Sequence, residues 1–235
     1  MTRLEVPSGQ VYDELDLEIM PLMRECGFVE YNEAGFTLRS GIPSNVYVQG
    51  RNDVTDNPQL GWKLGRKIAK TVVANHREDD KAPCLIFVPT AGTSLAAAAS
   101  LVAFNEGIRS PAGPISYRIM REAVKAHGAG AVQWVNGGYD DLRTFWGGDN
   151  VVTDCASKIV AADRLIESGY PALEMPWLIV VDRQQGGIRK MEEHGFKRIV
   201  VAYYLLDIAF AMGALNIWPK AVVGQVEAEI KAHQV

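Results

Sequence analysis

Apolar residues follow two patterns along the chain, short unbroken runs and longer segments in which they recur every three or four positions. The runs are typical of strands buried on both faces, and the spaced segments are typical of amphipathic helices. Strands are predicted at 85–88, 149–153, 177–181 and 199–203, and helices at 58–75, 95–104 and 158–168. Because strands and helices alternate, the sequence predicts an α/β protein with a mostly parallel sheet flanked by helices.

The two ends of the chain are also predicted to be helical. Near the start, Leu15, Ile19 and Met23 share one helical face, and a short extended run follows at 46–48. Beyond about residue 205 the pattern is helical again. The glycine-rich span 128–148 is interpreted as a loop, because glycine lowers the conformational preference for helix or strand.

The composition excludes several classes of protein. Hydrophobic residues make up 48% and charged residues 22%, which is typical of a globular domain and not of a disordered chain. The net charge of -4 argues against a dedicated nucleic-acid-binding protein. No apolar run is long enough for a membrane span, so no membrane partner is expected. The three cysteines are widely spaced and no apolar signal region opens the chain, so we expect a cytoplasmic protein.

Polar clusters follow the predicted strand ends, where parallel sheets bind their ligands. The turn after the first of these strands contains Thr90 and Gly92, and its small residues let backbone amides approach a phosphate or pyrophosphate oxygen. Farther along, Asp149 could accept hydrogen bonds from ribose hydroxyls, while Thr153 and Ser157 could hold a phosphate. The alternative at both places is an ordinary turn that caps a helix.

Two basic clusters are the other candidates. Arg121, Lys125 and His127 run into the glycine-rich span and could converge on a polyphosphate, with His127 able to exchange a proton near neutral pH. Arg183 follows a strand and could grip a carboxylate through two hydrogen bonds. The alternatives are a solvated charged face for the first cluster and a structural Asp182–Arg183 pair for the second.

In this order the clusters resemble the orotate phosphoribosyltransferases of the type I phosphoribosyltransferase family, from about Gly35 to the last helix. FTLRSG at 36–41 is similar to the family's FTLKSG, VPTAG at 88–92 to its pyrophosphate loop, REAVKAHG at 121–128 to its catalytic loop, and VDRQQGG at 181–187 to its orotate-binding segment. DNVVTDCAS at 149–157 takes the place of the phosphoribosyl diphosphate motif, with Asn150 for the second acid and Cys155 and Ala156 for glycines.

The resemblance implies an N-terminal helix and hood segment at 1–50, followed by a phosphoribosyltransferase core with C-terminal helices at 51–235. The implied reaction transfers 5-phosphoribose from phosphoribosyl diphosphate to orotate, giving orotidine 5'-monophosphate and pyrophosphate in pyrimidine nucleotide biosynthesis. Magnesium is expected to bridge the diphosphate and the ribose hydroxyls. A homodimer is also expected, with each catalytic loop reaching the partner's site.

The resemblance also implies a role for individual residues. The expected set is Arg39, Arg121 and Lys125 on the diphosphate with His127 in the same loop, Thr90 and Gly92 at the pyrophosphate, Asp149 and Asn150 on the ribose, Thr153 and Ser157 on the 5-phosphate, Tyr47 beside the base, and Arg183 on the orotate carboxylate. Because 149–157 departs from the family motif, two alternatives stay open. One is a catalytically impaired nucleotide-binding or regulatory homologue, and the other is a phosphoribosyltransferase for another base.

Overall fold

The computed structural model describes residues 2–38, 41, 43–50, 52–123 and 134–233. Its strands are β1 Leu4–Glu5, β2 Val11–Tyr12, β3 Val29–Thr37, β4 Pro43–Val48, β5 Ala82–Phe87, β6 Arg109–Ser110, β7 Gly113–Pro114, β8 Ser116–Tyr117, β9 Arg143–Val152, β10 Pro176–Asp182 and β11 Arg198–Tyr204. Its helices are α1 Glu14–Glu25, α2 Asn52–Thr55, α3 Pro58–Ala74, α4 Ala91–Glu106, α5 Ala156–Glu167, α6 Gly187–His194, α7 Leu205–Ala214 and α8 Lys220–His233.

A five-stranded sheet in the order β11-β10-β9-β5-β8 forms the centre, and every pairing in it is parallel. Alternate residues of its strands enter two separate cores. Leu85 and Phe87 of β5 pack in the core that includes α1, α3, α4, α7 and α8, whereas Cys84 and Ile86 pack in the core that includes α5 and α6. Helices therefore cover both faces of the sheet, and the predicted fold class is confirmed.

The β3–β4 antiparallel hairpin carries the segment that precedes the sheet, with a register shift between Tyr31 and Phe36. Val29 and Val46 of this hairpin pack in the same buried core as Leu85 and Phe87 of β5. The hairpin is thereby held over the sheet, next to α8. The domain boundary at residue 50 stays a prediction.

The interpretation of 128–148 as a loop is wrong at its C-terminal end, because β9 begins at Arg143 and contains both Gly147 and Gly148. Glycine is required there by packing from the neighbouring strands. A Cβ on Gly147 would overlap the indole ring of Trp177, and one on Gly148 would overlap the ring of Phe87. The missing side chains make room for two large rings and let β9 continue to Asp149.

Within the described ranges, no helix has the length and apolar character needed to cross a membrane.

Candidate active site

A cavity of about 490 Å³ lies at the carboxyl edge of the sheet. It is bounded by the turns that follow β5 and β9, by the start of α5 and by the end of the β3–β4 hairpin. The predicted residues that line it are Tyr47, Thr90, Asp149, Asn150, Thr153, Ser157 and Arg183. Segments more than a hundred residues apart in sequence therefore meet at one site, with a volume suited to a small-molecule substrate.

Other predicted residues do not contribute to this lining. Gly92 is buried in the first turn of α4, where its N–H donates to the Val88 carbonyl at 3.0 Å and a Cβ would lie 2.9 Å from Cβ of Phe87. Arg121 donates to the Asn136 side chain at 2.6 Å. Neither residue is part of the cavity wall, and their substrate roles stay predictions.

Three further predicted residues, Arg39, Lys125 and His127, lie outside the described residues.

In the turn after β5, the small residues bring the start of α4 close to the strand. The Val88 N–H donates to the Gly148 carbonyl at 2.8 Å, which holds this turn against β9. The Thr90 hydroxyl donates to the carboxylate of Glu122. Glu122 belongs to the segment that resembles the catalytic loop. This hydrogen bond therefore joins the turn after β5 to the start of that segment.

Asp149 is buried at the end of β9 and already has internal partners. Its Oδ2 lies 2.7 Å from Nζ of Lys158, and its Oδ1 accepts from the Asn150 N–H at 2.8 Å. Both side chains of this ion pair are almost fully buried, at 7% and 5% exposure. Lys158 is in the first turn of α5, so the pair ties the strand end to the helix that follows it.

The start of α5 differs from a phosphate loop built of glycines. Cys155 has a φ of 64°, a left-handed conformation that a side chain makes costly by about 1–2 kcal/mol. The carboxylate of Asp154 accepts from the Ala156 N–H at 3.3 Å, at the helix end where a phosphate would be attracted. Positive charge is supplied here by Lys158, whose Nζ lies 3.2 Å from the Ser157 hydroxyl.

Arg183 is only 2% exposed, and its guanidinium contacts several elements. It donates to the Val46 carbonyl at 3.0 Å, to the Ser44 hydroxyl at 2.8 Å and to Glu229 at 3.0 Å. Burial lowers the pKa of Arg183, and the carboxylate of Glu229 opposes that shift. The side chain therefore connects β10 with the β3–β4 hairpin and with α8.

An aromatic pair forms the hairpin side of the cavity. The Tyr47 ring is 36% exposed, and its centroid lies 5.5 Å from that of Phe36. Asn150 anchors the same region, since its side-chain amide donates to the Gln49 carbonyl. An exposed ring at the cavity wall is suited to stacking on a planar base.

The described side chains do not fit a magnesium ion held directly by the protein. Three acids among the described residues line the cavity. The ammonium of Lys158 beside the buried Asp149 would repel a divalent cation, while Asp154 and Glu122 already accept from the Ala156 N–H and the Thr90 hydroxyl. Nor do three or more His, Cys, Asp or Glu side chains gather into a metal-binding group in the part of the chain that the structure describes.

Sequence reasoning missed Lys158 and Glu229. Lys158 could have been suspected, since a lysine directly after a phosphate-loop serine is a charge at a helix start. Glu229 gives no local signal, because it lies in a helix of mixed polarity and meets Arg183 only through the tertiary fold.

The parallel sheet flanked by helices, with this cavity at its carboxyl edge, is the architecture of the type I phosphoribosyltransferases. Leishmania donovani UMP synthase has the same fold, with a TM-score of 0.71 at 18% identity over 92% of this chain. The chain spans 42% of the length of that structure.

Sequence comparison leads from this class to one family within it. An orotate phosphoribosyltransferase from Nostoc sp. is 31% identical over 71% of this chain and 74% of its own length. One from Methanocella arvoryzae is 27% identical over 78% of this chain and 91% of its own length. A scan against protein-family models finds no match. On the strength of these relatives, the chain belongs to the orotate phosphoribosyltransferase family.

Proposed function

We propose that this protein transfers the 5-phosphoribosyl group of phosphoribosyl diphosphate to orotate, a pentosyl transfer that gives orotidine 5'-monophosphate and pyrophosphate. The observation that carries the proposal is the meeting of Tyr47, Thr90, Asp149, Ser157 and Arg183 around one cavity at the carboxyl edge of a parallel sheet. Family membership supports the choice of orotate as the acceptor.

In the proposed reaction the C1–O bond to pyrophosphate breaks as the bond from C1 to the base nitrogen forms. Negative charge then develops on the leaving pyrophosphate, and preorganised cations are the main means of stabilising it. Arg39, Arg121 and Lys125 would supply that charge, with the amides near Thr90 and Gly92, and His127 would act in the same loop. Exclusion of water by the loop would protect the ribosyl cation.

The rest of the site would hold the substrates in place. Asp149 and Asn150 would position the ribose, while Thr153 and Ser157 would contact the 5-phosphate. Arg183 would bind the orotate carboxylate, and Tyr47 would flank the base. We propose that magnesium enters as a complex with the diphosphate, since the buried acid of the cavity is paired with Lys158.

We also propose a homodimer in the cytoplasm. A shared site is expected from the family resemblance, in which each catalytic loop completes the partner's cavity. The cytoplasmic location is supported by the three widely spaced cysteines, which are not joined by disulfides and suit a reducing compartment.

A spectrophotometric assay of orotate consumption, with phosphoribosyl diphosphate and magnesium, tests the proposal. The parent should consume orotate, and Lys125→Ala should lower kcat by about 10²–10³, the range for losing one charge contact to a transition state. The matched control is Lys70→Ala, because Lys70 is an exposed lysine at 51% exposure and pairs only loosely with Asp13. Equal turnover of Lys125→Ala and parent would contradict the assignment of the loop.

A second candidate is a nucleotide-binding homologue with little or no turnover. It is favoured by the internal partners of Asp149, Arg183 and the start of α5, which occupy groups that substrate would use. Isothermal titration with phosphoribosyl diphosphate and with orotidine 5'-monophosphate separates the two. Binding without turnover in either direction would favour this second candidate.

A further inference from the structure

Arg183 has little hydrogen-bonding capacity left for a second carboxylate. A guanidinium has five N–H donors. In this structure four of them are directed at Val46, Ser44, Glu229 and the side-chain oxygen of Gln185, the last at 3.3 Å, and one N–H on Nη1 is left over among the described contacts. An arginine in this arrangement cannot make a fresh bidentate pair without giving up a partner.

The partner that most resembles a substrate carboxylate is Glu229. It comes from α8, and its side chain is 10% exposed beside an arginine that is 2% exposed. Its Oε1 accepts from Arg183 at 3.0 Å and from the Gln185 amide at 2.8 Å, while its Oε2 accepts from the Ser44 hydroxyl at 2.8 Å. Both oxygens are therefore held, and the carboxylate is aimed at the guanidinium.

The charge balance at Arg183 limits which acceptor base can bind there. Arg183 and Glu229 together are neutral, so a second carboxylate at the same guanidinium would leave one uncompensated negative charge in a buried place. Like charges at such short range repel strongly where little water screens them. A base that carries a carboxylate must therefore displace Glu229 or bind against its charge.

We propose that Glu229 is a positioning residue that sets the specificity of this site by competing with the carboxylate of the acceptor base for Arg183. The proposal rests on the proposed function, in which Arg183 binds the orotate carboxylate. It means that Glu229 weakens the preference for a carboxylated pyrimidine over its uncharged counterpart, and that α8 takes part in choosing the substrate.

Orotidine 5'-monophosphate and uridine 5'-monophosphate are suitable probes, because they differ only in the base carboxylate. Their Kd values are measured by isothermal titration on the parent and on Glu229→Gln. The variant keeps the size of the side chain and an oxygen that can accept from Gln185. We expect orotidine 5'-monophosphate to bind about tenfold more tightly to Glu229→Gln, equivalent to about 1.4 kcal/mol, with the Kd of uridine 5'-monophosphate unchanged.

The matched control is Glu227→Gln, which removes the same charge from the same helix. Glu227 is 47% exposed and pairs with Lys231 on the surface, so its substitution should leave the ratio of the two Kd values unchanged. Glu229→Asp keeps the charge but draws it back from Arg183, and an intermediate ratio is expected. In the steady state, Glu229→Gln should lower KM for orotate and leave KM for phosphoribosyl diphosphate unchanged.

An unchanged ratio in both Glu229→Gln and Glu229→Asp would overturn the inference, and so would weaker binding of orotidine 5'-monophosphate alone. If Glu229→Gln does not fold, the Glu229→Asp ratio decides. If the parent turns over orotate but the ratio of the two Kd values is the same in the parent and in the Glu229 variants, this inference is contradicted and the proposed function stays intact. Absence of both orotate turnover and nucleotide binding in the parent would contradict the two together.

Discussion

Asp182 is a buried acid without a cationic partner among the described contacts of its carboxylate. It ends β10 at 5% exposure, and its Oδ1 accepts from the Gln184 N–H at 2.8 Å. Burial raises the pKa of Asp182 from 3.8 to about 6, and that hydrogen bond offsets only part of the effect. Asp182, next to Arg183 in the chain, therefore destabilises the fold when its carboxyl group is ionised.

The raised pKa of Asp182 predicts a pH-dependent loss of stability. Below pH 4 the group is protonated in both the folded and unfolded states, and above its folded pKa it is ionised in both. Between these limits the folded state binds more protons, so the free energy of unfolding falls as pH rises. The shift to about 6 corresponds to a loss of about 3 kcal/mol.

Asp182→Asn removes this titration and should gain stability relative to the parent as pH rises from 4 to 7. Urea unfolding across that range measures the difference. The control is Asp79→Asn, an exposed aspartate whose substitution should leave the pH profile close to that of the parent. An Asp182→Asn profile parallel to the parent's would show that the carboxyl is already solvated.

At the residue scale, the sequence predicted several of the residues that meet at the site, but not the side chains with which they pair inside the protein. Arg183 was predicted from its place after a buried strand, a local feature that survives in the structure. Its pairing with Glu229 could not be predicted, because the two residues are 46 positions apart and the angle of α8 depends on packing across the whole core.

At the element scale, the β9–α5 connection depends on a buried ion pair. Asp149 at the end of the strand and Lys158 in the first turn of the helix are 2.7 Å apart, with both charges removed from water. Breaking such a pair from one side leaves an uncompensated charge in the interior, whereas replacing both partners is often neutral. This ion pair therefore helps to fix the geometry of the proposed ribose and phosphate contacts.

Lys158→Met should therefore lower the free energy of unfolding by about 3–5 kcal/mol, because Asp149 would be left buried and unpaired. The double variant Asp149→Asn with Lys158→Met should recover much of that loss. Urea unfolding at neutral pH gives both values. Lys231→Met is the control, since its exposed pair with Glu227 is worth about 0–1 kcal/mol. An equal loss of unfolding free energy in Lys158→Met and Lys231→Met would mean that the Asp149 carboxyl group is hydrated or protonated once Lys158 is removed.

The strand that carries Asp149 also marks the limit of prediction from pattern. The alternation of apolar runs and helices predicted β5, β10 and β11 because all three are apolar runs. β5 and β10 are buried along nearly their whole length, whereas the edge strand β11 is mostly half-buried. β9 was recognised only at its end, since the glycines that receive the rings of Phe87 and Trp177 look like loop residues in the sequence. A glycine selected by packing cannot be told from one selected for a turn without its neighbours.

At the scale of the whole molecule, elements from both ends of the chain contribute to the site. The β3–β4 hairpin brings Tyr47 and the sheet brings Asp149 and Arg183 to the cavity wall, while α8 brings Glu229 to Arg183 without lining the cavity itself. The order of the family's motifs in the sequence predicted the contributions of the hairpin and of the sheet. The predicted catalytic loop, with Lys125 and His127, is the remaining part, and the proposed homodimer assigns it to the partner's cavity.

Subunit complementation tests that assignment. Lys125→Ala removes a loop cation, and Ser157→Asp puts a negative charge where the 5-phosphate would bind, so each variant alone should keep about one hundredth of parental activity or less. In a co-expressed mixture, random pairing gives heterodimers with one intact site, and about a quarter of parental activity should return. Light scattering during size-exclusion chromatography verifies the dimer. A dimer that recovers no activity would place each loop over its own subunit's cavity, and a monomer with parental turnover would rule out the shared site altogether.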